Sequence, residues 1–249
     1  MEIRFPSDCK LNRDSWLRLL GVSEEHLKLA ETAGDSGADE KAGKVRAALE
    51  RLTEQMDEAE GLLFETARPA FAYAVLDAAE LPVRGVSLAK HLEGCDRLVL
   101  MAVTIGHGVD DLISDTQKEK IALSVVIDCG ASVMAEMAAN LAEEQIREEL
   151  AADTAESSAD TVPLYMTERF SPGYGDSPLE MQTQVLDILD AERQLGITLS
   201  KGFMMSPSKS ITGILGLADH PVTGRLATCA ECVLRDKCTL IKEGKRCCD

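Results

Sequence analysis

Apolar residues recur at helical spacing through two long stretches of this chain. Over residues 36–65, Ala47, Leu49, Leu52, Met56, Leu62 and Leu63 line one broad side and charges take the rest, which predicts a long amphipathic helix ended by Pro69. A second helical region spans roughly 107–150, with Ile127, Ala131, Met134, Ala138 and Leu141 in register. Residues 14–34 predict one or two short helices, and 86–95 another, stopped by Gly94. RLVLMAVTIG, 97–106, is an unbroken apolar run and reads as a buried strand. SITGILGL, 210–217, reads as a strand whose glycines suit a bulge or a close ligand approach. VPLYMTER, 162–169, predicts an edge strand, while FAYAVLDAAEL, 71–81, fits a strand or a helix. In 177–196, Ser177 as cap, Pro178 in the first turn and Glu180 completing a capping box predict one helix, stopped by Gly196. Long helices with a few separated strands make an α+β fold with a small antiparallel or mixed sheet. The βαβ rhythm, the dinucleotide fingerprint and the phosphate-binding loop are all missing from the pattern.

Composition narrows the function classes. The 249 residues are 45% hydrophobic but only 4% aromatic, a bias toward helix. A formal net charge of −17 argues against nonspecific nucleic-acid binding, which relies on cations neutralising phosphates. The last 25 residues run against that balance, with six Lys/Arg and four Asp/Glu. The N-terminus is charged where a signal peptide needs an apolar run. The longest strongly apolar run, 98–106, falls well short of the ~20 residues that span a bilayer, so no membrane partner is expected and a cytoplasmic location is. Eight cysteines in a reducing compartment favour metal or redox chemistry over structural disulfides.

Three places can carry chemistry. In RFSPGYGDSP, Arg169 ends a predicted strand, the glycines force a compact loop around Tyr174, and the amides of the helix expected to start near Ser177 face that loop. An arginine, open amides and one aromatic ring suit a small ligand with a carboxylate and a flat ring; an ordinary Pro-Gly turn with a surface arginine is the plainer reading. In ASVMAEMAA, Glu136 interrupts an Ala/Met surface and shares a face with Asn140, either as a functional carboxylate or as part of a wet side. In FMMSPSKSITGI, Ser206, Pro207, Ser208, Lys209 and Ser210 form a hydroxyl-rich turn that can donate to a ligand or simply face solvent. The four histidines are scattered and none has metal-ligand spacing.

Together, RFSPGYGDSP, MMSPSKSITGI and the preceding helix GASVMAEMAANLAEEQIREEL resemble the activation domain of cobalamin-dependent methionine synthase over about residues 97–217. The resemblance implies a twisted antiparallel sheet flanked by long helices and a groove for S-adenosylmethionine. The groove would present the methyl donor to an inactive cob(II)alamin, so that one electron and one methyl group restore methylcobalamin. It implies that Arg169 binds the methionine carboxylate region, that Tyr174 and Gly173 belong to the ligand loop, that Glu136 faces the site, and that Phe170 and Ser171 offer backbone contacts. The turn Ser206, Pro207, Ser208 and Ser210 would face the corrin. Neither a methyltransferase barrel nor the Asp-x-His-x-x-Gly cobalamin signature is present, and the family's apolar, aromatic turn is MSPSKS here. The expectation is a freestanding activation protein serving a partner corrinoid methyltransferase, such as a methionine synthase without its own activation domain, together with an electron donor. A regulatory module that binds S-adenosylmethionine and an iron–sulfur electron-transfer protein are the alternatives.

The tail adds a separate candidate. Cys229-x2-Cys232-x5-Cys238-x8-Cys247-Cys248 offers a C-x2-C pair, Cys238, and either Cys247 or Cys248 as four thiolates for an iron–sulfur cluster or zinc, with free or reversibly oxidised thiols as the alternative. Lys237, Lys245 and Arg246 would offset the thiolate charge. Cys9, Cys95 and Cys129 read as packing residues. The expected organisation is an N-terminal helical segment at 1–66, an α+β core at 67–224 and a cysteine-rich tail at 225–249.

Overall fold

A computed structural model of the chain describes residues 1–6, 8–32, 40–157, 164–222, 224 and 235–238. Helices α1 (Arg13–Leu19), α2 (Glu24–Glu31) and α3 (Glu40–Thr66) lead into strand β1 (Ala70–Asp77). Helix α4 (Val86–His91), strand β2 (Arg97–Thr104) and helices α5 (His107–Glu119) and α6 (Ile121–Ser157) follow. After the short strand β3 (Tyr165–Met166) come α7 (Met181–Ile188), α8 (Ala191–Leu195), the small hairpin β4 (Thr198–Leu199) and β5 (Met205–Ser206), and the long strand β6 (Ser210–Ala218). The main sheet has the order β1-β2-β6-β3, antiparallel throughout, which makes the fold the expected α+β class.

The sheet is buried on both faces, which explains why β2 reads as a continuous apolar run rather than an alternation. Val99, Met101 and Val103 join one core with Met56, Leu63, Ile127, Met134 and Ala138 from α3 and α6. Leu98, Leu100 and Ala102 join the other with Leu88, Val185, Leu186 and Ala191 from α4, α7 and α8. Trp16 on α1 is fully buried in the first core; its indole Nε1 donates to the Val126 carbonyl at 2.9 Å, and its ring lies against Gly130 of α6. Ile3, Leu11 and Trp16 share that core with the sheet, so the N-terminal segment packs onto the same body. The segment 71–81, open between strand and helix in the sequence, is β1 through Asp77.

The region 107–150 is helical, as expected, and divides into two helices because Lys120 (φ −133°, ψ 72°) leaves helical geometry and lets α5 pack against α6. Four other expectations need correction. The region 177–196 is also two helices, beginning at Met181 and interrupted by Asp190 in the left-handed region. Ser177 does not cap a helix: its amide donates to the Tyr174 carbonyl at 2.9 Å and its hydroxyl to Met181 Sδ at 3.5 Å. The edge strand is two residues long, paired with Ala218 and Leu217 of β6. Finally, α6 is long and apolar enough to cross a membrane: within Ile121–Ala152 an 18-residue window has a mean hydropathy of 1.7, and 56% of that window is buried inside this fold.

Candidate ligand-binding site

Arg169 reaches the site because of how the chain runs beyond β3. The Thr167 amide donates to the Gly216 carbonyl at 3.0 Å, and Phe170 exchanges both backbone hydrogen bonds with Ile214, at 3.0 and 2.8 Å. That pairing commits the Phe170 backbone to β6 and buries its ring in the second core. Arg169, one residue earlier, lies against Gly213 on the face covered by α6. A Cβ at Gly213 would stand 2.6 Å from Arg169 Cγ and 2.9 Å from Cδ, so the glycine is the space through which the arginine stem passes. The glycines of β6 thus serve close side-chain approach, Arg169 at Gly213 and Cys95 at Gly216, without a bulge between Ser210 and Leu217.

The guanidinium ends on α6. Its Nη2 donates to Glu136 Oε2 at 2.9 Å and, at 3.4 Å, to Asn140 Oδ1, while its Nη1 donates to Glu143 Oε1. Residues 136, 140 and 143 follow one another at four- and three-residue steps, which places them along one side of the helix. The two carboxylates differ in setting. The Glu136 side chain is 61% exposed, whereas those of Glu143 and Arg169 are 17% and 15% exposed. Burial pushes the Glu143 carboxyl above its ordinary range, against the opposing pull of Arg169 and then Arg147, with Glu168 adding a smaller upward push.

The loop that follows is closed on itself and tied to α4. The Tyr174 amide donates to Ser171 O at 3.1 Å, the Gly173 amide to Ser177 O at 3.1 Å, and the Ser171 hydroxyl to Thr212 O at 2.8 Å. The Asp176 carboxylate accepts from the amides of Val86 and Ser87, both at 2.8 Å, and these bonds hold its pKa down to about 2. The contact demands glycine at 85: φ is +97°, and a Cβ would sit 2.9 Å from the Ser177 backbone. The helix N-terminus touching this loop is therefore that of α4, already capped by Asp176, and not that of a helix beginning at Ser177. Tyr174 stands at the rim, 54% exposed, its ring edge-on to Phe170 with centroids 6.0 Å apart.

A cleft of about 710 Å³ opens beside the ion pair. One wall is the N-terminal segment, with Lys10, Ser15 and Arg18; the other is α6, with Ser132, Glu136 and Asn140. Glu136 belongs to both the cleft and the Arg169 cluster, so the charge pair lies at the cleft's edge. This volume is in the range of small-molecule sites. The sequence reading missed the N-terminal wall, since Lys10 to Leu19 carry no motif, and it missed Glu143, one acid among many in LAEEQIREEL.

The turn 206–210 is pinned to the helices beside the cleft. Ser208 donates its amide to Asp110 Oδ2 at 2.8 Å and its hydroxyl to Oδ1 at 2.6 Å. Lys209 pairs with Asp128 at 2.8 Å and donates to Ser132 at 2.9 Å, and the Ser210 hydroxyl donates to Pro207 O while accepting from the Thr104 hydroxyl. Pro207 is buried and follows a cis peptide bond, and Ser206 is exposed. The hydroxyls of Ser208 and Ser210 are thus engaged within the protein.

Of the tail cysteines, Cys229, Cys232, Cys247 and Cys248 lie outside the described residues. Cys238 follows a short 3-10 turn and is partly buried. Among the described residues, no three His, Cys, Asp or Glu side chains are grouped to hold a metal. Burial is the first cause holding the Cys9, Cys95 and Cys129 thiols above their ordinary range, in keeping with packing roles.

The arginine thus lies over a glycine strand, held by helix carboxylates beside a cleft and flanked by a Pro-Gly-Tyr loop. The family model described as the activation domain of vitamin B12-dependent methionine synthase matches residues 87–223, and the chain belongs to that family. The match includes β2, α5, α6, the Arg169 loop and β6, and leaves out α1 to α3, β1 and the whole cysteine-rich tail. A solved structure titled as the MetH reactivation domain bound to AdoHcy aligns with 89% of this chain and 80% of its own, at 16% identity and a TM-score of 0.49. No curated protein matches the chain.

Proposed function

We propose that this chain binds S-adenosylmethionine in the cleft beside the Arg169–Glu136 pair and presents its methyl group to cob(II)alamin held by a partner, a corrinoid methyltransferase such as methionine synthase. Membership of the activation-domain family supports a role in cobalamin reactivation. The observation that carries the finer reading is the Arg169–Glu136 ion pair at the cleft's edge. Such a pair matches the two charges of an amino-acid head group. The ligand carboxylate takes the Nη2 edge of Arg169, and the ligand ammonium takes the carboxylate of Glu136 that it displaces. Each new contact is a charge-assisted hydrogen bond, worth roughly 1.5–3 kcal/mol net. Tyr174 at the rim offers a ring face to the adenine or the partner.

One electron from a separate donor and the methyl group of S-adenosylmethionine convert cob(II)alamin into methylcob(III)alamin, leaving the sulfonium sulfur as a neutral thioether. The residues described here bind and orient the donor; the cobalt chemistry belongs to the partner. We further propose that the tail thiols Cys229, Cys232, Cys238 and Cys247 or Cys248 hold an iron–sulfur cluster or zinc, on the strength of their spacing alone. Iron, sulfide and zinc analysis of anaerobically purified protein decides between these and free thiols. The function itself is tested by mixing the protein with a methionine synthase that lacks its activation domain, in the cob(II)alamin state, with S-adenosylmethionine and a one-electron reductant. Conversion of the cob(II)alamin spectrum to that of methylcob(III)alamin, absent with Arg169→Ala, is the expected result; conversion unaffected by the variant contradicts the proposed site.

A further inference from the structure

We infer that Glu143 is the positioning residue of this site: it holds the guanidinium of Arg169 permanently, so that Glu136 alone is exchanged for ligand. The inference rests on the ligand reading above. Arg169 divides its two terminal nitrogens between carboxylates in different surroundings, Nη1 to Glu143 and Nη2 to Glu136. The Glu136 side chain is 61% exposed and returns to water on displacement with little loss. Glu143, at 17% exposed, is buried together with an arginine that is 15% exposed, and leaving either without its partner strands a charge in a poorly hydrated place. The incoming carboxylate therefore takes the Nη2 edge and leaves the Nη1 edge alone. Gly213 beneath the stem and Glu143 at the tip fix the arginine at two points.

The groups facing Glu143 fit a fixed partner. Arg169 and Arg147 stabilise its charge, and Glu168 opposes it. Asn140, one turn toward Glu136, adds only the longer 3.4 Å contact to Nη2 and cannot replace the bond to Nη1. Without Glu143, the guanidinium swings toward Glu136, closes a pair with it, and the edge meant for the ligand is lost.

The test compares Glu143→Ala and Glu143→Gln with the unaltered full-length protein by calorimetric titration. Two ligands are used: S-adenosylmethionine, and its decarboxylated form, which keeps the sulfonium and adenosine but lacks the carboxylate. Circular dichroism confirms that each variant is folded. Glu143→Ala is expected to weaken S-adenosylmethionine binding at least tenfold and to change binding of the decarboxylated ligand less than twofold. Glu143→Gln, whose amide oxygen still accepts from Nη1, is expected to stay within about threefold of the unaltered protein for both. Equal weakening of both ligands by Glu143→Ala, no weakening of either, or failure of Gln to rescue overturns the positioning role. If the unaltered protein binds S-adenosylmethionine but Arg169→Ala binds it equally well, the ligand reading fails and this inference falls with it; if Arg169→Ala loses binding and Glu143→Ala does not, only the inference falls.

Discussion

Replacing Gly213 by alanine adds one methyl group and removes no functional one, yet it should disable the site. The new Cβ would lie 2.6 Å from Arg169 Cγ, 2.9 Å from its Cδ and 3.1 Å from Met101 Cγ. To reach ordinary van der Waals separation the arginine stem must move by about 1 Å. It is held at both ends: its backbone is anchored through Phe170 on β6, and its tip is held by Glu143. The relief therefore moves the Nη2 edge away from Glu136, now at 2.9 Å, and spoils the spacing of the two charges that the ligand's carboxylate and ammonium are to meet together. Overpacking of this kind costs about 1–3 kcal/mol of stability. Urea denaturation of Gly213→Ala should show a loss in that range, and calorimetry should show S-adenosylmethionine binding weakened roughly tenfold, equivalent to about 1.4 kcal/mol. A variant with unchanged stability and unchanged binding refutes the reasoning, because Arg169 then does not lie over position 213.

Two further predictions concern titrating groups. Asp176, whose pKa is held down to about 2 by the amides of Val86 and Ser87, stabilises the loop above the ordinary aspartate pKa and loses that contribution as pH falls toward 2. Asp176→Asn should lower the melting temperature at pH 7 and speed hydrogen exchange at the Val86 and Ser87 amides, with the difference in melting temperature shrinking at acid pH; equal exchange in both proteins counts against the tether. The second concerns Glu143, which shares a poorly hydrated place with Arg169. Glu143→Gln leaves the guanidinium without its counter-charge and should lower the melting temperature at neutral pH, as scanning calorimetry can verify; an unchanged or higher melting temperature means that desolvation of the carboxylate outweighs the pair.

The buried strands were legible because burial on both faces leaves no polar alternation to confuse them: 97–106 and 210–217 lie where their apolar runs put them. The stripe of α6 was legible for the same reason. Breaks were harder. Lys120 ends α5 without a proline or glycine, since the interruption comes from tertiary packing of α5 on α6. Ser177, Pro178 and Glu180 have the composition of a capped helix start, but the Ser177 amide closes the 171–177 loop instead. Arg169 and Glu136 each stood out in its own stretch of sequence, and only the family resemblance brought them to one site; no spacing rule joins residues 33 positions apart, and the fold does. Glu143 was hidden by its neighbours, because an acid in a run of acids gives no sign of being the one that turns inward.

The most direct test of the account is calorimetric titration of the anaerobically purified protein with S-adenosylmethionine, with Arg169→Ala alongside. Saturable binding that the variant loses is the predicted result. Saturable binding of equal strength in both proteins, or none in the unaltered protein, contradicts the assignment of the cleft beside the Arg169–Glu136 pair as the S-adenosylmethionine site.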